Sequence, residues 1–165
     1  MNNMSNKDYV ADYLALKVAN DQLRERGKLW VWDQLNKFCA EINRSVMQTP
    51  DQAGIQVGCQ EWNFSVENFT MVGERYGARY RGRTLTVEIG WPKLPEHGYV
   101  PDGGLARGRI GFSQNVMLDA RPVAEMVFKR AGVADPGWFL ISNNRPGEPV
   151  TESLLKKYVE MLLQD

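Results

Sequence analysis

The stretch from residue 73 to residue 91 constrains the fold more than any other part of the chain. It reads GERYGARYRGRTLTVEIGW, with apolar residues alternating on both sides of a central Arg81-Gly82. This alternation is typical of strands buried on one face, and glycine in a two-residue loop supplies the positive φ that tight hairpin turns need. The turn sets Tyr76 opposite Val87 on one face and an arginine opposite a glutamate on the other. We therefore predict an antiparallel hairpin here.

The first third of the chain has helical spacing. Two apolar stripes recur every three or four residues: Val10, Leu14 and Val18, then Val31, Leu35, Phe38, Cys39, Ile42 and Val46. The second stripe stops before Thr49-Pro50, which is a natural helix terminator. Gly27 lies between the stripes, so it marks either a break between two helices or a glycine tolerated within one. We expect two helices or one bent helix.

The order of the predicted elements favours an α+β fold for all 165 residues as a single domain. We expect a helical segment over 1–48, an antiparallel meander of about four strands over 53–117, and helix–strand–helix over 119–165. In the last part, Asp119 is a candidate N-cap with Pro122 in the first helical turn, and Thr151 is a candidate cap for the final helix. The C-terminal helices would pack on one face of the sheet.

The net charge and the lengths of the apolar runs indicate which compartment and which class of partner to expect. The chain has 20 basic and 20 acidic residues, so its formal net charge is zero. Proteins that wrap nucleic acid usually carry a basic excess, so nucleic acid is a possible partner but not a favoured one. The N-terminus lacks a basic start followed by an apolar segment, and no apolar run approaches the roughly 18 residues that span a bilayer. We expect a cytoplasmic, soluble protein with no membrane partner.

The motifs of common catalytic sites are missing. His97 is the only histidine, Cys39 and Cys59 are the only cysteines, and there is no phosphate loop and no G-x-S-x-G elbow. We therefore predict no catalytic residue, no metal site and no cofactor, and we interpret both cysteines as buried free thiols. His97 lies in the proline-rich link 92–104, which we interpret as a stiff connector. A hydrolase centred on that link is the least favoured alternative.

Five arginines suggest a second function. They lie on the predicted hairpin and the strand after it: Arg75, Arg79, Arg81, Arg107 and Arg109. If the strands are neighbours, alternation brings these guanidinium groups to the outer face of the sheet. Such a face would suit phosphate or carboxylate, so an anion-binding domain for a nucleic acid or a nucleotide is our alternative function. A solvated face that discourages edge aggregation explains the same residues.

The N-terminal helical segment has more large apolar residues than its two main stripes contain, and this surplus suggests the function that we favour. Large apolar residues lie off the two main stripes of the helical segment: Tyr9, Tyr13, Leu16, Leu23 and Trp30. Either two helices pack together over the sheet, or one face meets another chain. Tryptophan and tyrosine commonly anchor interfaces. We therefore expect a non-enzymatic interaction or accessory module that docks a protein partner or a second copy of itself.

Overall fold

The computed structural model describes residues 6–49, 51–115, 117–132, 134–143 and 145–164. A long N-terminal helix is followed by a seven-stranded sheet and a short C-terminal helix. The elements are α1 (Asn6–Val46), β1 (Gln56–Val66), β2 (Phe69–Tyr80), β3 (Arg83–Trp91), β4 (Ala106–Ser113), β5 (Arg121–Lys129), β6 (Gly137–Ser142), β7 (Arg145–Pro149) and α2 (Glu152–Glu160). The strands pair antiparallel in chain order. The α+β class is confirmed, but the expectation of about four strands was too low.

The hairpin of β2 and β3 has the predicted register. Tyr76 pairs with Val87, and the turn lies at Arg81-Gly82. Both turn residues have positive φ, 50° at Arg81 and 82° at Gly82. Two consecutive positive φ angles match the twist of the flanking strands, which is why such turns close hairpins well.

Gly27 does not break the N-terminal helix, because α1 runs without interruption for 41 residues. A side chain at Gly27 would lie within 3 Å of the ring of Phe128. The carbonyl oxygen of Gly27 also accepts a hydrogen bond from Trp138 Nε1 at 3.0 Å. The glycine therefore lets β5 and β6 approach the helix closely. Within the described residues, no helix is both long and apolar enough to cross a membrane.

One face of the sheet packs against the helices. Trp32 of α1 stacks on Tyr76 of β2 with ring centroids 5.4 Å apart. α2 lies beside α1, where Lys37 and Glu152 approach to 3.9 Å. The fully buried side chains of this core include Val31, Leu35, Leu85, Val87, Ile89, Ile110, Met126, Leu155 and Val159. Every second residue of the strands points into this core from the sheet. Residues three or four apart on the helices point into it from the other side.

Two elements of the C-terminal third differ from the prediction. The helix expected after Asp119 is the strand β5, whose Pro122 lies beside a register shift between Ile110 and Gly111. Proline is tolerated in sheets at such irregularities. The segment expected to be only a loop contains β7, an edge strand. Consequently one C-terminal helix, α2, replaces the two that were expected; its predicted cap is confirmed, since Thr151 Oγ1 accepts from the Leu154 amide.

The link between β3 and β4 is packed against the body. It contains two short 3₁₀ turns, and its Val100 and Pro101 are buried. The rings of Tyr99 and Phe69 lie 4.3 Å apart between centroids. His97 Nδ1 accepts a hydrogen bond from the Leu94 amide at 3.3 Å, within the same turn. The interpretation of this link as a connector stays a prediction.

Candidate functional site

The N-terminal turns of α1 are exposed, and part of them faces the link between β3 and β4. We call residues 7–19 the overhang. All residues from 7 to 16 are exposed. Six large apolar side chains of the overhang are each more than half exposed: Tyr9 (61%), Val10 (57%), Tyr13 (58%), Leu14 (51%), Leu16 (60%) and Val18 (56%). Scattered exposed apolar residues are ordinary, but a contiguous group of this size marks an interaction site on a folded protein.

A network of charged groups fixes the point where α1 meets the sheet. Asp21 accepts hydrogen bonds from Lys17 Nζ at 2.9 Å and from Arg24 Nη1 at 2.8 Å. Arg24 Nε also donates to the carbonyl oxygen of Leu105 at 2.7 Å, at the beginning of β4. The helix is therefore anchored from Arg24 onward, and the overhang ends more than one turn before this residue.

An apolar cleft continues the line of the overhang. Leu23, Gly27 and Trp30 form one wall of a cleft of about 600 Å³, and Phe128 and Trp138 belong to the other. Trp138 has its indole N–H satisfied inside the protein, so the cleft presents mainly apolar surface. Clefts with this lining take apolar side chains or ligands.

The structure divides the five predicted interface residues into two connected groups. Tyr9, Tyr13 and Leu16 are exposed on the overhang, whereas Leu23 and Trp30 are partly buried at the cleft. Successive members are separated by three, four or seven residues, so they follow one side of α1. We call this line of five residues the strip. At the overhang, Tyr13 and Leu16 also line a second pocket, whose opposite wall is the link between β3 and β4.

Glu74 on β2 holds the anchored part of α1. Its carboxylate accepts from Lys28 Nζ at 2.7 Å and from Trp32 Nε1 at 3.0 Å. Burial acts to raise the pKa of Glu74. The hydrogen bonds from Lys28 and Trp32 act in the opposite direction, and the pKa stays below its usual value. For Lys28, burial acts to lower the pKa and the bonds to Glu74 and Glu25 raise it above its usual value. The pair thus remains ionised at neutral pH.

Both cysteines are free thiols, and they differ in exposure. Cys39 is buried as expected, whereas Cys59 is exposed, so the expectation of two buried thiols was half wrong. Cys59 Sγ lies 3.2 Å from Glu74 Oε2. Desolvation and the neighbouring Glu74 carboxylate raise the pKa of Cys59 to about 11. A thiol in this setting is a poor nucleophile at neutral pH.

The arginines lie on the sheet face away from α1, with carboxylates between them. The strand register sets Arg75 beside Glu88, Glu88 beside Arg109, and Arg109 beside Glu125. Arg107 is buried, with Nη2 3.6 Å from Glu125 Oε2 and an Nε that has no hydrogen-bond partner. The row therefore alternates in sign across four strands.

Two of the five arginines, Arg79 and Arg81, are distant from Arg107. Arg79 and Arg81 lie at the hairpin end of β2, while Arg107 pairs with Gly90 at the other end of β3. Six residues along a strand correspond to about 20 Å. Arg109 turns toward β1, donating to the Ser65 carbonyl oxygen at 2.5 Å. The structure does not gather the five arginines into one patch.

Anion binding by this face stays a prediction with a direct test. If Arg79 and Arg81 contact phosphates, replacing both with serine should lower the slope of log affinity against log salt by about two, one for each contact. The measurement is a salt titration of binding to a labelled single-stranded oligonucleotide. Lys156→Ser/Lys157→Ser, on the exposed side of α2, is the control. Absence of binding by the unmodified protein at low salt excludes polynucleotides.

Comparisons of the chain with protein-family models, with curated proteins and with solved structures find no match. Among the described residues, no three histidine, cysteine, aspartate or glutamate side chains converge where a metal ion could be held.

Sequence reasoning identified the apolar surplus of the N-terminal segment but missed the cleft and the Glu74 pair. Phe128 and Trp138 form part of the cleft, and they lie beside α1 only because β5 and β6 belong to the sheet that packs against this helix. Glu74 lies 46 residues from Lys28 along the chain, and no local pattern connects them. One signal was available: Glu74 interrupts the apolar alternation of β2 on the face that packs against α1, and a half-buried carboxylate there favours a cationic partner.

Proposed function

We propose that this protein is a non-enzymatic interaction module that docks a protein chain along the strip formed by the overhang and the cleft. The observation that carries the proposal is the exposure of six large apolar side chains within residues 9–18. A helix that ended at the sheet would not expose them. The ion network at Asp21 and the Glu74 pair hold the rest of α1 in place, so the overhang is presented on a rigid base.

The exposed area is adequate for a moderate interaction. If each of the three overhang side chains on the strip, Tyr9, Tyr13 and Leu16, offers about 100 Å², docking removes about 300 Å² of their apolar surface from water. At about 25 cal/mol per Å², this corresponds to roughly 7 kcal/mol before the losses of rigid-body and side-chain freedom. Those losses are of similar size. Insertion of a partner side chain between Trp30 and Trp138 would add apolar burial at the centre of the contact, where interface energy concentrates.

The test is a charge placed in the middle of the strip. Tyr13→Glu is expected to abolish capture of the partner by the immobilised protein from an extract of its native host, because docking would bury the new carboxylate. Ala15→Glu is the matched control, since Ala15 is exposed and lies about 200° around the helix from Tyr13. Captured chains are identified by mass spectrometry, and a circular dichroism melt checks that both variants fold.

Two outcomes contradict the proposal. Equal capture by Tyr13→Glu and the unmodified protein would show that the overhang is not the docking site. Equal loss in both variants would show that any added charge on the overhang suffices, independently of its side.

A further inference from the structure

The two edge strands of the described sheet differ in how their free edges are protected. β7 is five residues long and contains two prolines, which have no N–H to offer a further strand. β1 pairs with β2 over 11 residues without a register shift, and it contains neither proline nor lysine. Short length, proline and lysine are common protections of a sheet edge. β1 is therefore an unprotected edge that a further strand can join.

The hairpin that connects β1 to β2 determines which backbone groups of β1 are free. Val66 and Phe69 flank its two-residue turn, so they form a hydrogen-bonded pair. Such pairs alternate along an antiparallel ladder, so the even-numbered residues of β1 bond to β2 and the odd-numbered residues direct their N–H and C=O groups outward. In agreement, the carbonyl oxygen of Ser65 accepts from Arg109 instead of from β2. The odd-numbered residues of 57–63 therefore offer alternating donors and acceptors, which an extended strand matches.

The face of β1 away from α1 carries a projection and a recess at equal distances from Gln60. Trp62 is partly exposed on this face, with the guanidinium carbon of Arg75 4.6 Å from its ring centroid. Gly58 and Gly77 line a recess of about 340 Å³, and nothing lies within 4 Å of a Cβ added to either glycine. A two-fold axis at Gln60 would therefore place the indole of each copy beside the recess of the other.

We propose that a second copy of the chain joins this edge, with the two β1 strands antiparallel and Gln60 opposite Gln60 of the second copy. The outward backbone groups then match, because position 57 pairs with 63 and position 59 pairs with 61 in both directions, which gives about eight hydrogen bonds. The contact is isologous, so one pairing covers the unprotected edge of both copies. It lies outside the strip, so it is an interaction surface separate from that of the proposed function.

The side chains of β1 select this register. Trp62 lies opposite Gly58 of the second copy in a pair without ladder bonds, where side chains approach most closely. Matching of the outward groups otherwise allows only slides of two residues. One such slide sets Glu61 opposite Glu61 of the second copy, which brings like charges together. The other centres the pair on Cys59 and moves the indole away from the recess.

The first measurement is the mass in solution. Sedimentation equilibrium of the full chain at tens of micromolar is expected to give about twice the chain mass of 18.8 kDa. Gln60→Lys should reduce the mass to that of one chain, because it sets two like charges opposite each other. Gln22→Lys, which adds the same charge at an exposed position of α1, should leave the mass doubled. Tyr13→Glu, on the strip, should also leave it doubled.

Cross-linking tests the register and does not depend on how well Gln60→Lys folds. Cys59→Ser/Gln60→Cys should form a disulfide-linked dimer with diamide, because Cα atoms opposite each other in such a pair are about 4.5 Å apart. Cys59→Ser/Gln56→Cys is the matched control, since Gln56 is exposed on the same strand and the same face. Its two copies would lie about 26 Å apart, so it should not cross-link.

The outcomes keep this inference apart from the proposed docking function. A monomeric unmodified chain overturns the second-copy inference. A dimer that survives Gln60→Lys, or that cross-links equally through Gln56→Cys, overturns the β1 contact. A mass halved by Tyr13→Glu would place self-association on the strip and also overturn it. Capture of a partner that is lost in Tyr13→Glu supports the docking function whether or not the chain is a dimer.

Discussion

Replacing Glu74 with alanine is expected to lower the free energy of unfolding by about 3 kcal/mol. Lys28 is only 5% exposed, and its ammonium lies 2.7 Å from the Glu74 carboxylate. The variant leaves this charge with Glu25 as its remaining partner, 3.0 Å away, and leaves the Trp32 indole N–H without an acceptor. Removing Glu74 is costly because the buried Lys28 ammonium keeps its desolvation penalty. Urea denaturation at pH 7 measures the change.

The pH dependence gives this prediction a second check. The pKa of Glu74 is lowered by folding, so its contribution is present above the ordinary value of 4.5 and is lost as the pH falls through the folded pKa. The pKa of Lys28 is raised, so its contribution is present below the ordinary value of 10.5 and is lost as the pH rises through the folded pKa. The difference between the unmodified protein and Glu74→Ala should therefore be largest between about pH 5 and pH 10.

Glu61→Ala is the matched control for Glu74→Ala. Glu61 lies directly opposite Glu74 on β1 and is exposed, so its loss is expected to change stability by less than about 0.5 kcal/mol. Replacing both members of the pair, as Lys28→Met/Glu74→Leu, should destabilise less than Glu74→Ala alone, since no buried charge is then left. A Glu74→Ala variant as stable as the control would show that the pair contributes nothing to anchoring α1.

The parts of the fold that follow from local signals were predicted correctly. The β2–β3 hairpin needs only neighbouring residues: alternation, a turn that accepts positive φ, and cross-strand pairs. The final helix is likewise local, with Thr151 as its cap and a single apolar stripe. In these segments the chain contacts itself over short sequence distances, so pattern and structure agree.

The strand β5 shows where local signals mislead. Asp119 and Pro122 resemble the beginning of a helix, yet residues 121–129 pair with β4. On this strand the apolar residues Val123, Ala124, Met126, Val127 and Phe128 form a nearly continuous run, which fits a buried strand as well as a short helix. The pairing with β4 and the contact of Phe128 with Gly27 decide between them, and both are distant in sequence. Tertiary pairing overrides a weak local preference in such cases.

The candidate site could be predicted from the sequence only in part. The apolar residues of the overhang exceed what one helix face needs, and this surplus is visible in the sequence. Their exposure depends on where the sheet ends relative to α1, which no local pattern states. The burial of Arg107 was unpredictable for the same reason, because it depends on tertiary contacts that no local pattern states.

Gly73→Ala is expected to destabilise the protein by about 3 kcal/mol or more, making it one of the most damaging single-methyl additions in the chain. A Cβ at Gly73 would overlap the carbonyl oxygen of Ile89 and lie 2.6 Å from the Cα of Gly90. Both are backbone atoms of the neighbouring strand, which cannot rotate away as a flexible side chain could. Relief requires β2 and β3 to separate one residue from Glu74, so the anchor of α1 would be strained as well.

Gly77→Ala supplies the matched control, because Gly77 lies on the same strand and the same sheet face with nothing within 4 Å of its added Cβ. There the methyl group should raise stability by about 0.5 kcal/mol, since alanine loses less conformational freedom on folding than glycine. Urea denaturation midpoints of the two variants therefore should move in opposite directions from that of the unmodified protein. Equal midpoints for Gly73→Ala and Gly77→Ala would mean that β2 and β3 do not approach closely at Gly73. The position of Glu74 would then have to be maintained by its bonds to α1 alone.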